Sequence, residues 1–94
     1  MNTFSLPAKI THQEAQGVLT RFQDRLKDVQ AAQDKTFEID ASALTIFNSS
    51  ALAVLLGLKR ELQMKGLHMK VNHLSEPLQN LAKVYGVDHF LANP

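Results

Sequence analysis

Ile39-Asp40-Ala41-Ser42-Ala43-Leu44-Thr45-Ile46-Phe47-Asn48-Ser49-Ser50-Ala51-Leu52-Ala53-Val54-Leu55-Leu56 is the stretch on which the fold turns. Its first residues complete a segment, Lys35–Ala41, in which Phe37, Ile39 and Ala41 alternate with Thr36, Glu38 and Asp40. A period of two with one apolar face predicts a half-buried strand that ends at Asp40. A short piece, Ser42–Phe47, leads to the polar triplet Asn48-Ser49-Ser50. Each of the three offers a short side-chain oxygen to the orphan N–H groups of a helix start, so any of them can cap. The helix predicted after them, about Ser50–Lys65, carries Leu52, Val54, Leu55, Leu56, Leu58 and Leu62 and ends before Gly66. Its first two turns are apolar nearly all round, which suits burial on the sheet, on a partner, or on both.

Working outward, Phe4, Leu6, Ala8 and Ile10 alternate with Ser5, Pro7 and Lys9. That predicts a strand at a sheet edge, because Pro7 has no N–H to give to a ladder. Thr11-His12-Gln13-Glu14 fits a capping box, with Glu14 reaching back to the helix start. Ala15, Val18, Leu19, Phe22, Leu26 and Val29 then form a helical stripe expected to end near Gln30. On the other side of the central stretch, His68–Leu74 reads as a third strand and Ser75-Glu76-Pro77 as the start of a last helix ending at Gly86. Val87–Leu91 reads as a closing turn. The order strand, helix, strand, helix, strand, helix favours parallel pairing through right-handed crossovers. All three strands alternate, whereas a sheet covered on both faces reads as continuous apolar runs. An α/β fold is therefore expected, a small mostly parallel sheet with helices mainly on one face.

The chain of 94 residues has room for one domain, expected over residues 1–94. Apolar residues at 45% and charged residues at 20% suit a globular chain and argue against disorder. Ten Lys/Arg against nine Asp/Glu leave a net charge of +1, far from the basic excess that grips a phosphate backbone, so no nucleic-acid partner is expected. No Cys is present, which removes disulfides, thiolate zinc sites and cysteine nucleophiles. The longest apolar run, Ala51–Leu58 with one Gly in it, is too short to span a bilayer. The first residues show no basic start and no long apolar stretch, so a cytoplasmic location is expected.

No nucleotide-cradling Gly-rich loop follows any strand, and no cofactor is expected. His12, His68, His73 and His89 are the candidate metal ligands; read as one strand, His68–Leu74 puts His68 and His73 on opposite faces, and solvent-facing histidines are the simpler reading. Ser49 and Ser50 lack a nucleophile elbow and an evident base, so no catalytic residue is assigned and no enzyme activity is expected. Lys59, Arg60 and Lys65 read as a cationic helix end that suits the helix dipole.

The strand-terminal Asp40 with Ser42, followed by Asn48-Ser49-Ser50-Ala51-Leu52 at a helix start, resembles the signature of the STAS family, the sulfate transporter and anti-sigma factor antagonist domains. The resemblance runs from about Leu6 to Leu91. Lys65-Gly66 and Leu81-Ala82-Lys83-Val84-Tyr85-Gly86-Val87 look like the small STAS subunit of the Mla phospholipid transporter. Asn48 stands where the family usually has an acid and Ala51 where it usually has Gly. The family's usual first strand has no counterpart, since Phe4–Ile10 aligns with its second. What the resemblance implies is a non-catalytic binding module. In the transporter branch it docks on the ATPase subunit of an ABC transporter that maintains outer-membrane lipid asymmetry, through Asn48, Ser49, Ser50, Ala51 and Leu52. That docking would hold it at the inner face of the inner membrane. In the antagonist branch an anti-sigma factor serine kinase phosphorylates the serine at the position Ser49 holds. The simpler reading of Ser49, that it caps the helix, stands beside both.

Overall fold

A computed structural model describes residues 3–29 and 35–91. Three strands, β1 (Thr3–Ser5), β3 (Thr36–Asp40) and β5 (His68–Asn72), form a sheet in the order β1-β3-β5. Both pairings are parallel, with Phe4 opposite Ile39 and Ile39 opposite Val71. Two further short strands, β2 (Lys9–Ile10) and β4 (Ile46–Phe47), pair parallel as a separate ribbon. The helices are α1 (His12–Leu26), α2 (Ser49–Met64), α3 (Glu76–Val84) and the single turn α4 (Asp88–Leu91).

The alternation of the strands is met in space. Phe37 and Ile39 are fully buried and Met69 and Val71 nearly so, while Thr36, Glu38, His68, Lys70 and Asn72 are exposed or half-buried. The helices pack on the apolar face, as expected. Phe22 of α1 sits edge-on between Phe4 and Phe37, with ring centroids 5.0 and 5.4 Å apart, an arrangement the ring quadrupoles favour. Behind it, α2 packs against α1, β5 and α4. Gly57 permits the α1 approach, since a Cβ there would meet the Leu19 side chain at 3.0 Å. The all-round apolar character of α2 is thereby consumed: Ala51, Leu52, Val54, Leu55, Leu58 and Leu62 are all buried within the chain.

Three expectations are corrected. The stretch Phe4–Ile10 is two strands rather than one. The Leu6 N–H still bonds the Asp40 carbonyl at 2.9 Å, but Pro7 ends the ladder and the chain turns to pair with β4. The helix expected to run to Gln30 stops at Leu26, where the Lys65 ammonium donates to the Leu26 carbonyl oxygen at 2.8 Å; Gln30 lies outside the described residues. The third strand ends at Asn72, because His73 has φ 61°, a left-handed conformation that no strand continues. His68 and His73 therefore do not share a strand.

Both predicted glycine stops are used. Gly66 and Gly86 have φ 74° and 71°, and the following residues bond back, Leu67 N–H to Leu62 O and Val87 N–H to Ala82 O. The closing segment is α4, held by the Lys59 ammonium, which donates to the Phe90 carbonyl at 2.6 Å and lies 5.5 Å from the ring centroid. Two of the three basic residues on α2 and its end are thus employed inside the fold.

Candidate functional site at the start of helix α2

Asp40 ends the central strand of the sheet, and its backbone keeps both neighbours in register. Its carbonyl accepts from Leu6 N–H, and the next amide, Ala41 N–H, donates to Asn72 O at 2.9 Å. Beyond that point there is no ladder to follow, and the side chain takes over. Asp40 Oδ1 accepts from Ser42 N–H at 2.9 Å, the local bond by which an aspartate turns a chain. The carboxyl is held below its usual range, first by the Ser42 backbone N–H, then by the Ser42 hydroxyl, with a smaller contribution from the nearby His73. The turn closes with Leu44 N–H on Ala41 O, and Leu44 is buried. Thr45 and Ile46 N–H groups then share the Ala8 carbonyl at 2.9 and 3.0 Å, which starts the β2–β4 ribbon. This ribbon aims the chain into α2 at the carboxyl end of the sheet, where open parallel sheets place their binding sites.

Asn48 has extended backbone angles, φ −136° and ψ −163°, and its Oδ1 accepts from Ser50 N–H at 2.9 Å. Of the three residues that can cap, Asn48 is the one that does. Ser49 is the first helical residue, exposed, and its hydroxyl has no partner among the described residues. The reading of Ser49 as the cap is therefore replaced: the cap bond passes over it. Ser50 is half-buried, Ala51 is fully buried and Leu52 is 4% exposed. The surface at the junction thus consists of Asn48, Ser49 and part of Ser50, with Ala51 and Leu52 fastening it to the core. Ile46, 57% exposed, adds an apolar residue two positions before Asn48. Sequence reasoning passed over Ile46; its signal was a large β-branched residue in the short segment that binds no helix stripe.

Histidines are dispersed. His12 opens α1, His68 lies on the open sheet face, and His89 packs on Phe90 with centroids 4.1 Å apart. His73 borders a cleft of about 480 Å³ between the end of β5, α3 and α4, together with Gln79, Lys83 and Asp88 over Leu74 and Leu91. Among the described residues, no three His, Asp or Glu side chains are gathered as metal ligands would be. No helix among the described residues is long and apolar enough to cross a membrane.

A strand-terminal aspartate turning into a capped, exposed serine on a helix is the arrangement the family signature required. The sequence profile described as "Mlab, STAS domain" matches residues 9–92. The chain belongs to the STAS family. This STAS domain also resembles a solved structure, the crystal structure of a sulfate transporter family protein from Wolinella succinogenes, with a TM-score of 0.73. The two share 13% sequence identity over 97% of this chain and 70% of the other, a likeness of fold. No curated protein matches the sequence. In this domain β1 stands at the edge of the sheet. Asn48 caps α2 with a neutral side chain.

Proposed function

We propose that this STAS domain is a non-catalytic interaction subunit that docks on the ATPase subunit of an Mla-type phospholipid ABC transporter and supports its activity, keeping outer-membrane lipids asymmetric. The observation that carries the reading is the outward Ser49 hydroxyl, left without a partner because Asn48 supplies the cap. An unpaired donor on a rigid helix end, next to exposed Ile46, offers a partner one hydrogen bond and one apolar contact in fixed geometry. The docking set is Asn48, Ser49 and Ser50 at the surface, with Ala51 and Leu52 fixing their position from the core. The profile description and the Leu81–Val87 segment support the transporter branch. In this reading the domain sits in the cytoplasm, held at the inner membrane by its partner.

The test is capture of the purified transporter ATPase by the tagged domain, with wild type compared against Ser49→Glu. A carboxylate at the first helical position suits the helix dipole, so the domain keeps its fold. The same charge buried in a contact must lose its water, and capture is abolished. Capture of the ATPase by a folded Ser49→Glu domain as strong as by wild type overturns the docking site. Deletion of the gene is expected to make the outer membrane permeable to detergent.

A second reading is favoured by the same exposure. In an anti-sigma factor antagonist, Ser49 is the residue a serine kinase modifies, and the helix N-terminus accommodates the added phosphate. Incubation with an anti-sigma factor kinase and ATP then adds one phosphate, which Ser49→Ala prevents.

A further inference from the structure

The exposed face of α1 forms a groove of about 560 Å³ with Pro7 as one wall and Gly17 at its floor. Gly17 has no internal explanation. Nothing lies within 4 Å of where its Cβ would stand, and its backbone is not left-handed. Alanine would fit there and hold the helix better, since glycine is the weaker former at a helix interior. A bare spot on an exposed helix leaves room for another chain to approach closely, as Gly57 leaves room for the Leu19 side chain.

The charges around the groove say what approaches. Glu14 lies three residues before Gly17 and Arg21 four after it. Glu14 Oε1 takes two bonds from Thr11, from its N–H at 2.8 Å and its hydroxyl at 2.6 Å. Oε2 is left with Lys9 alone, at 4.0 Å. Arg21 is exposed and makes no hydrogen bond or ion pair among the described residues. Asp24, further along, faces only the exposed Lys27 at 3.4 Å. Along the groove Glu14 and Arg21 stand on either side of Gly17 with opposite charges. Reversed and laid against itself, this pattern sets Glu14 on Arg21 twice over. Such self-complementarity is what a two-fold interface requires, each residue meeting the one that meets it.

We propose that two copies of this chain associate through antiparallel α1 helices crossing at Gly17, with the Glu14 and Arg21 of each copy paired across the axis. A helix of 15 residues spans about 22 Å, so the contact falls at the small end of interfaces and the association is weak. Asn48, Ser49 and Ser50 do not line the groove.

Sedimentation of the full chain over a concentration series reaching the millimolar range tests this. Wild type is expected to pass from monomer to dimer. Arg21→Glu reverses the charge facing Glu14, and Gly17→Leu fills the floor; each is expected to weaken association about tenfold. Both positions are exposed, so circular dichroism is expected to show each variant folded. Arg60→Glu, an equal charge change on α2 away from the groove, is expected to leave association as it is. A chain that stays monomeric at the highest concentration overturns the proposal. So does a dimer indifferent to Arg21→Glu and Gly17→Leu, or one that Arg60→Glu weakens as much.

Discussion

The Asn48 side-chain oxygen lies 2.9 Å from the Ser50 backbone nitrogen, and the bond between them spans Ser49 without using it. The cap satisfies one orphan amide at the start of α2 and sets the helix direction. It also decides which of three neighbouring polar residues is structural and which is available. Replacing Asn48 by Ala is expected to cost about 1 kcal/mol. In a domain of this size that lowers the midpoint of a thermal melt by about 4–8 °C. Asn48→Asp keeps the cap and adds a charge at the favourable end of the dipole, so its melt is expected to match or exceed wild type.

Ser49→Ala is the complementary case. The hydroxyl has no partner among the described residues, so its removal is expected to change stability by less than about 0.5 kcal/mol. Urea unfolding of the two variants side by side separates cap from surface: Asn48→Ala shifts the midpoint and Ser49→Ala does not.

Acid is expected to loosen both chain turns that depend on a carboxylate. Thr11, through its hydroxyl and then its amide, and Lys9 at a smaller contribution hold Glu14 below its ordinary 4.5. Ser42 and His73 hold Asp40 below its ordinary 3.8. A carboxyl whose folded pKa is depressed adds stability that is fully present above the unfolded value and is lost as pH falls through the folded one. Unfolding free energy is therefore expected to be unaffected by these groups from neutral pH to about 5 and to fall below about 4.5. Asp40→Asn should flatten the acid limb of a urea-midpoint series against pH; an unchanged limb would place the acid sensitivity elsewhere.

Phe22 is the packing centre of the sheet-facing helix, fully buried between Phe4 and Phe37. Phe22→Ala removes both edge contacts and leaves a cavity, at a cost of about 3–5 kcal/mol. Against a total stability of about 5–14 kcal/mol for a chain of this length, that is expected to abolish or sharply lower the cooperative thermal transition.

Gly66 provides a contrast with Gly17. Its φ of 74° closes α2 and lets Leu67 N–H return to Leu62 O. Gly66→Ala is expected to destabilise by about 1 kcal/mol, because alanine is strained in that conformation. A melt equal to wild type would show that the turn relaxes into another form.

The strands and helices that carry their own periodicity were readable from the residues. Phe37 and Ile39 alternate in sequence and are buried together in space. Glu14 reaches back to Thr11 as its spacing predicted. What escaped depended on partners distant in sequence. The break at Pro7 was legible as a missing donor, but the chain's departure to pair with Ile46 was not, since β4 contributes two residues with no pattern. The Leu26 carbonyl at the end of α1 is met by Lys65, 39 residues away. At the junction, the polar triplet marked the place, and the division of labour between Asn48 and Ser49 required coordinates. A left-handed histidine at position 73 has no local signal, as glycine would have had.

The sheet holds a consequence for how the chain is made. Among the described residues every strand pairing is parallel, so none can close through a tight turn, and Thr3 must wait for Glu38 while Thr36 waits for His68. During synthesis β1 emerges first with nothing to pair with, and β3 is complete on one flank only until β5 has left the ribosome. Local order before then rests on the helices, α1 with its capping box and α2 with its Asn48 cap. Folding of this domain is thus a late and nearly single event, gated by the arrival of Met69 and Val71 against Phe37 and Ile39. A chain cut short after α2 would leave one flank of β3 unpaired along its length, an open edge ready to pair with another strand.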